Sequence, residues 1–140
     1  MNSLKRALIS SPISLDVGLL FLRLAGSALL FYVHGWPKII HYHSELQHIE
    51  DPFGLGAQFS LWFAVLAEVL CPIGIALGLL TRLATLPVLV VLGVALVFVH
   101  ADWSIADGQF AWLLLIIYGT IALAGPGAFS LDARLARVSA

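Results

Sequence analysis

Two charged residues, Arg23 and Glu68, stand inside long apolar runs of this 140-residue chain. A charge at the centre of an apolar helix costs at least about 2.5–3.5 kcal/mol to insert into lipid, so it normally faces other helices and has a partner. At about 1.5 Å per helical residue, Arg23 lies about 9 Å and Glu68 about 18 Å from the end that their two spans share. Extended side chains can bridge that difference if the helices are neighbours. Helical side chains lean toward their own N-terminus, however, which tilts these two apart. The plainer reading of Arg23 is that it snorkels to the nearer interface. Pro72 sharpens the case for Glu68: a proline inside a helix leaves the carbonyl four residues earlier without its donor. That carbonyl belongs to Glu68, and Cys71 is one turn away. A carboxylate beside a freed carbonyl can hold a proton, a cation or a polar ligand head. The alternative is an ordinary proline kink beside a neutral glutamic acid.

The histidines are His34, His41, His43, His48 and His100. Lys38 follows His34 by four residues and shares its helix face if the helix survives Pro37. Asp102 is close to His100, while His41, Glu45 and His48 share a face, with Asp51 following. Imidazole and carboxylate suit zinc, copper or iron, but the spacing matches no metal-ligand motif, and a solvated histidine-rich loop explains it as well. A pH-responsive or redox-coupled pocket is equally compatible with histidine chemistry. No nucleophile elbow, phosphate loop, C-x-x-C or haem-type C-x-x-C-H is present. With one cysteine, neither an intrachain disulfide nor a cysteine-based zinc site can form.

The elements that must position these residues follow from composition. Hydrophobic residues make up 61% of the chain and charged residues 11%, whereas about a quarter of a soluble domain is charged. Fifteen charges cannot cover the surface of a water-soluble domain of this size, so lipid is the expected solvent. A net charge of −1 gives no nucleic-acid footprint. Apolar stretches predict four transmembrane helices at about 17–36, 59–80, 83–101 and 108–125. The predicted fold is therefore an all-α integral membrane four-helix bundle in one domain. The first run reads as a retained span, because no small-residue cleavage site follows it. Lys5, Arg6, Arg82, Arg134 and Arg137 fall on one side of these spans and Lys38 alone on the other, which puts both termini in the cytoplasm. Trp36, Trp62, Trp103 and Trp112 then mark the outer boundary as an aromatic belt. With only Thr81 and Arg82 between them, the second and third spans must form a tight hairpin. Gly74 and Gly78 make a G-x-x-x-G match, a candidate helix contact face.

These residues together resemble the DoxX family of small bacterial membrane proteins. The matching pieces are Arg23-Leu-Ala-Gly26, His34-Gly35-Trp-Pro-Lys38, Glu68, Gly78-Leu-Leu-Thr81-Arg82, His100 and Gly125-Pro126-Gly127-Ala-Phe-Ser130-Leu131-Asp132. The resemblance runs over about residues 17–135. It implies a four-helix bundle in the bacterial inner membrane, and a link to quinol oxidase, thiosulfate:quinone oxidoreductase or oxidative-stress systems. In one respect the chain departs from it: many members carry Glu at the start of the fourth span, where Gln109-Phe110 stands here.

The leading expectation is an accessory subunit of a quinone-linked membrane redox system, more a non-catalytic partner of an oxidoreductase than an enzyme. Arg23, His34, Lys38, Glu68, Arg82 and His100 are its candidate pocket residues. No intrinsic cofactor is expected, since no ligand set for haem or an iron–sulfur cluster is present; a quinone is the ligand implied. A small carrier or metal-handling protein is the alternative, as is a scaffold whose polar residues only fix packing. Four helices enclose little volume, so a homodimer is a further expectation.

Overall fold

The computed structural model describes residues 14–138. Lys5 and Arg6, which enter the charge count above, lie outside the described residues. Within them the chain is entirely helical: α1 (Leu15–Ile40), α2 (Tyr42–His48), α3 (Ala57–Leu77), α4 (Thr81–Val99), α5 (Gln109–Ala124) and α6 (Leu131–Val138). Helices α1, α3 and α4 are long and apolar enough to cross a membrane, and α5 is a shorter apolar helix of 16 residues. Such helices satisfy their backbone polar groups internally, as lipid requires.

The four apolar helices close a ring in which α1 packs on α3 and α5, and α4 packs on α3 and α5. The core between them is Leu30, Cys71, Ile75, Val88, Leu92, Leu114, Tyr118 and Ile121. Many large apolar side chains of α4 and α5 point away from it, including Leu83, Leu86, Val90, Phe98, Ile116 and Leu123. In water such a surface would aggregate; against acyl chains it is at home.

The hairpin turn differs from its expected form. Thr81 and Arg82 lie inside α4, and the turn is Gly78-Leu79-Leu80. Gly78 ends α3 in the left-handed conformation (φ 71°) that glycine tolerates best. A Cβ there would overlap the Arg23 guanidinium and Ser130. Gly78 is thus a helix terminator under Arg23, not one half of a small-residue helix face. Leu80 is also left-handed (φ 48°), an unfavourable state for a branched side chain that its neighbours must hold.

Candidate functional site

Three spanning helices each contain one wide, π-helical turn: Phe31–Gly35 in α1, Leu66–Leu70 in α3 and Ala95–Val99 in α4. Such turns are rare and concentrate at functional sites. The first two have a visible cause. Trp36 donates its N–H to the Phe31 carbonyl and Cys71 to that of Leu66, five residues back, and a proline follows at 37 and 72. Proline has no N–H for the carbonyl four residues earlier, so the helix widens just ahead of it. The third closes through His100 N–H to the Ala95 carbonyl at 2.8 Å, where α4 ends. His34 lies in the first turn, Glu68 in the second, and His100 caps the third.

These turns gather a polar cluster in the half of the bundle that holds the α4–α5 loop. Helix α1 continues through Pro37, so Lys38 Nζ reaches back to donate to the His34 carbonyl at 3.2 Å. The same ammonium lies 2.7 Å from Glu68 Oε2, with only 12% and 9% of the two side chains exposed. At that distance the pair is a charge-assisted contact that fixes the Glu68 carboxylate against α1. Gly35 sets the helix spacing: a Cβ there would overlap the Glu68 carbonyl, so α1 lies directly against the oxygen that Pro72 deprives of its donor. His34 lies 5.5 Å from the Phe110 ring, and His100 stacks on Trp103 at 3.7 Å with the planes 9° apart.

Two cavities meet at this cluster. One of about 460 Å³ lies between α3 and α4 and is roofed by α2 and the loop to α3. Phe63, Ala64, Val90, Val91 and Val94 form its apolar wall; Lys38, Glu45, His48, Glu68 and His100 are polar. A second of about 280 Å³ lies among α1, α4 and α5, lined by His34, Leu92, Leu96, Trp103, Phe110 and Leu114 among others. Glu68, Val91, Ala95 and His100 line both. Mostly apolar walls with a few placed polar groups are the usual make-up of a small-molecule site. Asp51 fixes the roof: its carboxylate accepts from the Leu55 and Gly56 N–H groups and the Ser60 hydroxyl at 2.8–3.0 Å. Those bonds, the Gly56 one foremost, outweigh desolvation and hold its carboxyl below the ordinary range. Among the described residues no group of three or more His, Cys, Asp or Glu side chains is placed to hold a metal ion.

The opposite end of the bundle carries the remaining candidates. Arg23 is fully buried and does not snorkel; its guanidinium donates to the carbonyls of Phe129 and, at 3.4 Å, Ile75. Arg82 reaches the Leu123 carbonyl at 3.4 Å, near the C-terminus of α5, where a cation suits the helix dipole. Asp132 caps α4 from a distance: it accepts from the Leu80 N–H (2.8 Å), the Thr81 N–H (2.9 Å) and the Thr81 hydroxyl (2.8 Å). Burial alone would push its carboxyl up; the Thr81 and Leu80 bonds and the Arg23 charge outweigh burial and leave it below the ordinary range. The Asp132 N–H donates to the Gly78 carbonyl, and Ala128 N–H to Asp16, which ties the α5–α6 link to α1 and the hairpin.

The six sequence candidates therefore divide. His34, Lys38, Glu68 and His100 come together around the cavities, while Arg23 and Arg82 stand at the other end, and Arg23 does not partner Glu68. The sequence reading missed the wide turns, the Trp103 stack, the Asp51 roof and the Asp132 cap. The prolines at 37 and 72 were the available signal for the first of these. For Trp103 only its nearness to His100 hinted at a role, and Asp132 closed the Gly125–Asp132 piece of the resemblance without any sign of what its carboxylate would bind.

Known proteins resemble the chain at the level of sequence. The DoxX family model matches residues 18–101. An Escherichia coli K12 protein, inner membrane protein YphA, is 33% identical over 119 residues, which cover 76% of this chain and 82% of the relative. No solved structure matches significantly.

Proposed function

The chain belongs to the DoxX family, and we propose that it is an inner-membrane accessory subunit of a quinone-linked redox system, with both termini cytoplasmic and a quinone site at the Lys38–Glu68–His100 cluster. One observation carries the reading: a buried ion pair and a stacked histidine stand where two apolar-walled cavities join. The donor set suits a quinone. Lys38 and His100 can donate to its carbonyls, the Glu68 carboxylate can accept from a hydroxyl of the reduced quinol form, and the valine and phenylalanine walls accept its ring and tail. When bound, a quinone would accept two electrons and two protons on reduction to the quinol. The chain's own part is to hold the head, exclude water and offer proton-binding side chains, while the partner oxidoreductase supplies the redox centre. The inner-membrane location draws on the relative that bears that name and on the three long apolar helices.

The test uses the purified protein in detergent and a decyl-tailed benzoquinone. Quinones quench tryptophan emission, and Trp103 lines the smaller cavity. Saturable quenching is expected, most of it lost in Trp103→Phe. Glu68→Gln and His100→Ala should each weaken binding about tenfold, or about 1.4 kcal/mol. Quenching that never saturates, with no oxidoreductase co-purifying from native membranes, removes this reading. If the substitutions lower only the melting temperature and leave binding intact, the cluster is packing and the protein a scaffold. The same preparation sized by light scattering reports whether two copies associate.

A further inference from the structure

We infer that the ligand enters from the bilayer through a lateral portal between the outer halves of α3 and α4, with its apolar tail lying there and its head at Glu68 and His100. This deepens the function proposed above and rests on it. The first half of α3, Ala57–Val65, packs on α2 and the end of α1 rather than on α4, whereas the second half packs on α4 directly. The hairpin is therefore closed at its turn and splayed at its open end. The larger cavity occupies that splay. Two of its lining residues on α3 and α4, Phe59 and Val90, are 56% and 50% exposed, so the cavity is unsealed where these two helices part.

The charge distribution gives the direction. Toward water the cavity is roofed by α2 and the Asp51-stapled loop, where Glu45, His48 and Glu50 stand among the apolar Ile49, Phe53 and Leu55. An apolar tail would have to cross those groups to enter from above. Sideways the α3 and α4 walls are mainly apolar, with Phe59, Phe63, Val90, Val91, Val94 and Val99 beside the hydroxyl of Ser60, and Ala64 leaves room between them. A tail that slides in from the bilayer stays among apolar atoms throughout, whereas a water-soluble head entering the same way would have to shed its hydration, so the portal selects long-tailed, membrane-dissolved ligands.

The experiment compares two probes on the full chain in detergent: the decyl-tailed benzoquinone and the same ring without its tail, with bound probe measured by equilibrium dialysis. Val90→Phe and Val94→Phe narrow the portal without touching the head cluster. Each should weaken the tailed probe at least tenfold and change the tail-less probe less than twofold. Retained binding of the tail-less probe also shows that the variant is folded. Equal weakening of both probes, or of neither, overturns the portal while wild-type binding keeps the quinone site standing. If the wild-type chain binds neither probe, the quinone reading itself falls and the portal falls with it.

Discussion

At the scale of single residues, the Lys38–Glu68 pair decides the character of the site. A buried ion pair adds little net stability, since desolvating two charges offsets their attraction, but removing one partner strands the other. Lys38→Met is therefore expected to destabilise the protein by about 3 kcal/mol, while Lys38→Met combined with Glu68→Met recovers most of the loss. Thermal unfolding of the three variants in detergent measures this, and a double variant no better than the single one contradicts the pairing. The depth of Glu68 was legible in the sequence, because a carboxylate eleven residues into an apolar helix has few places to go. Its partner was not, because Lys38 meets Glu68 only if α1 runs on past Pro37.

At the scale of elements, depth along α1 explains why Arg23 stands apart from the cluster: it precedes His34 by eleven residues, about 16 Å at about 1.5 Å per residue, while the wide turns govern which faces the residues beyond them present. One extra residue in a turn rotates everything beyond it by about 100° relative to a regular helix. Side chains on either side of such a turn no longer share the faces that a 3.6-residue period assigns, and Arg23 and Lys38 lie on opposite sides of the one in α1. The other element-level device is the Asp132 cap on α4, which holds Leu80 in its left-handed conformation. Asp132→Asn keeps one acceptor oxygen but loses the charge and the second acceptor, so it should cost about 1 kcal/mol at neutral pH, the usual net value of one hydrogen bond. The folded carboxyl is held below its ordinary range, so its contribution is complete above the unfolded value near ~3.9 and disappears as pH falls through the lower, folded value. The gap in melting temperature between wild type and Asp132→Asn should thus be constant from pH 7 to about 5 and close below about 4. A gap that widens on acidification would contradict the cap.

At the scale of the whole molecule, the bundle has two chemically different ends. One is fastened: Arg23, Asp132, Asp16 and the Gly78 turn bind the α5–α6 link across α1, α3 and α4. The other is open, with two cavities, a roof and a polar cluster. The start of α1 and the end of α5 lie at the fastened end, as the Asp16–Ala128 bond requires, so both ends of the bundle emerge on one side. The basic residues Arg82, Arg134 and Arg137 argue that this side is the cytoplasm. Cysteine labelling in spheroplasts checks it directly, because the native Cys71 is buried. An impermeant maleimide should modify His41→Cys and leave Arg137→Cys untouched, and the reverse pattern inverts the topology.

Composition and hydropathy were enough to determine the all-helical membrane class, because lipid leaves a chain of this length no other way to satisfy its backbone. The presence of charges inside the apolar runs was equally plain from residue order. Which charges meet was decided only in three dimensions. It depends on helix rotation and depth, and both are set by wide turns, by prolines and by a close backbone approach at Gly35, whose effects no regular period encodes.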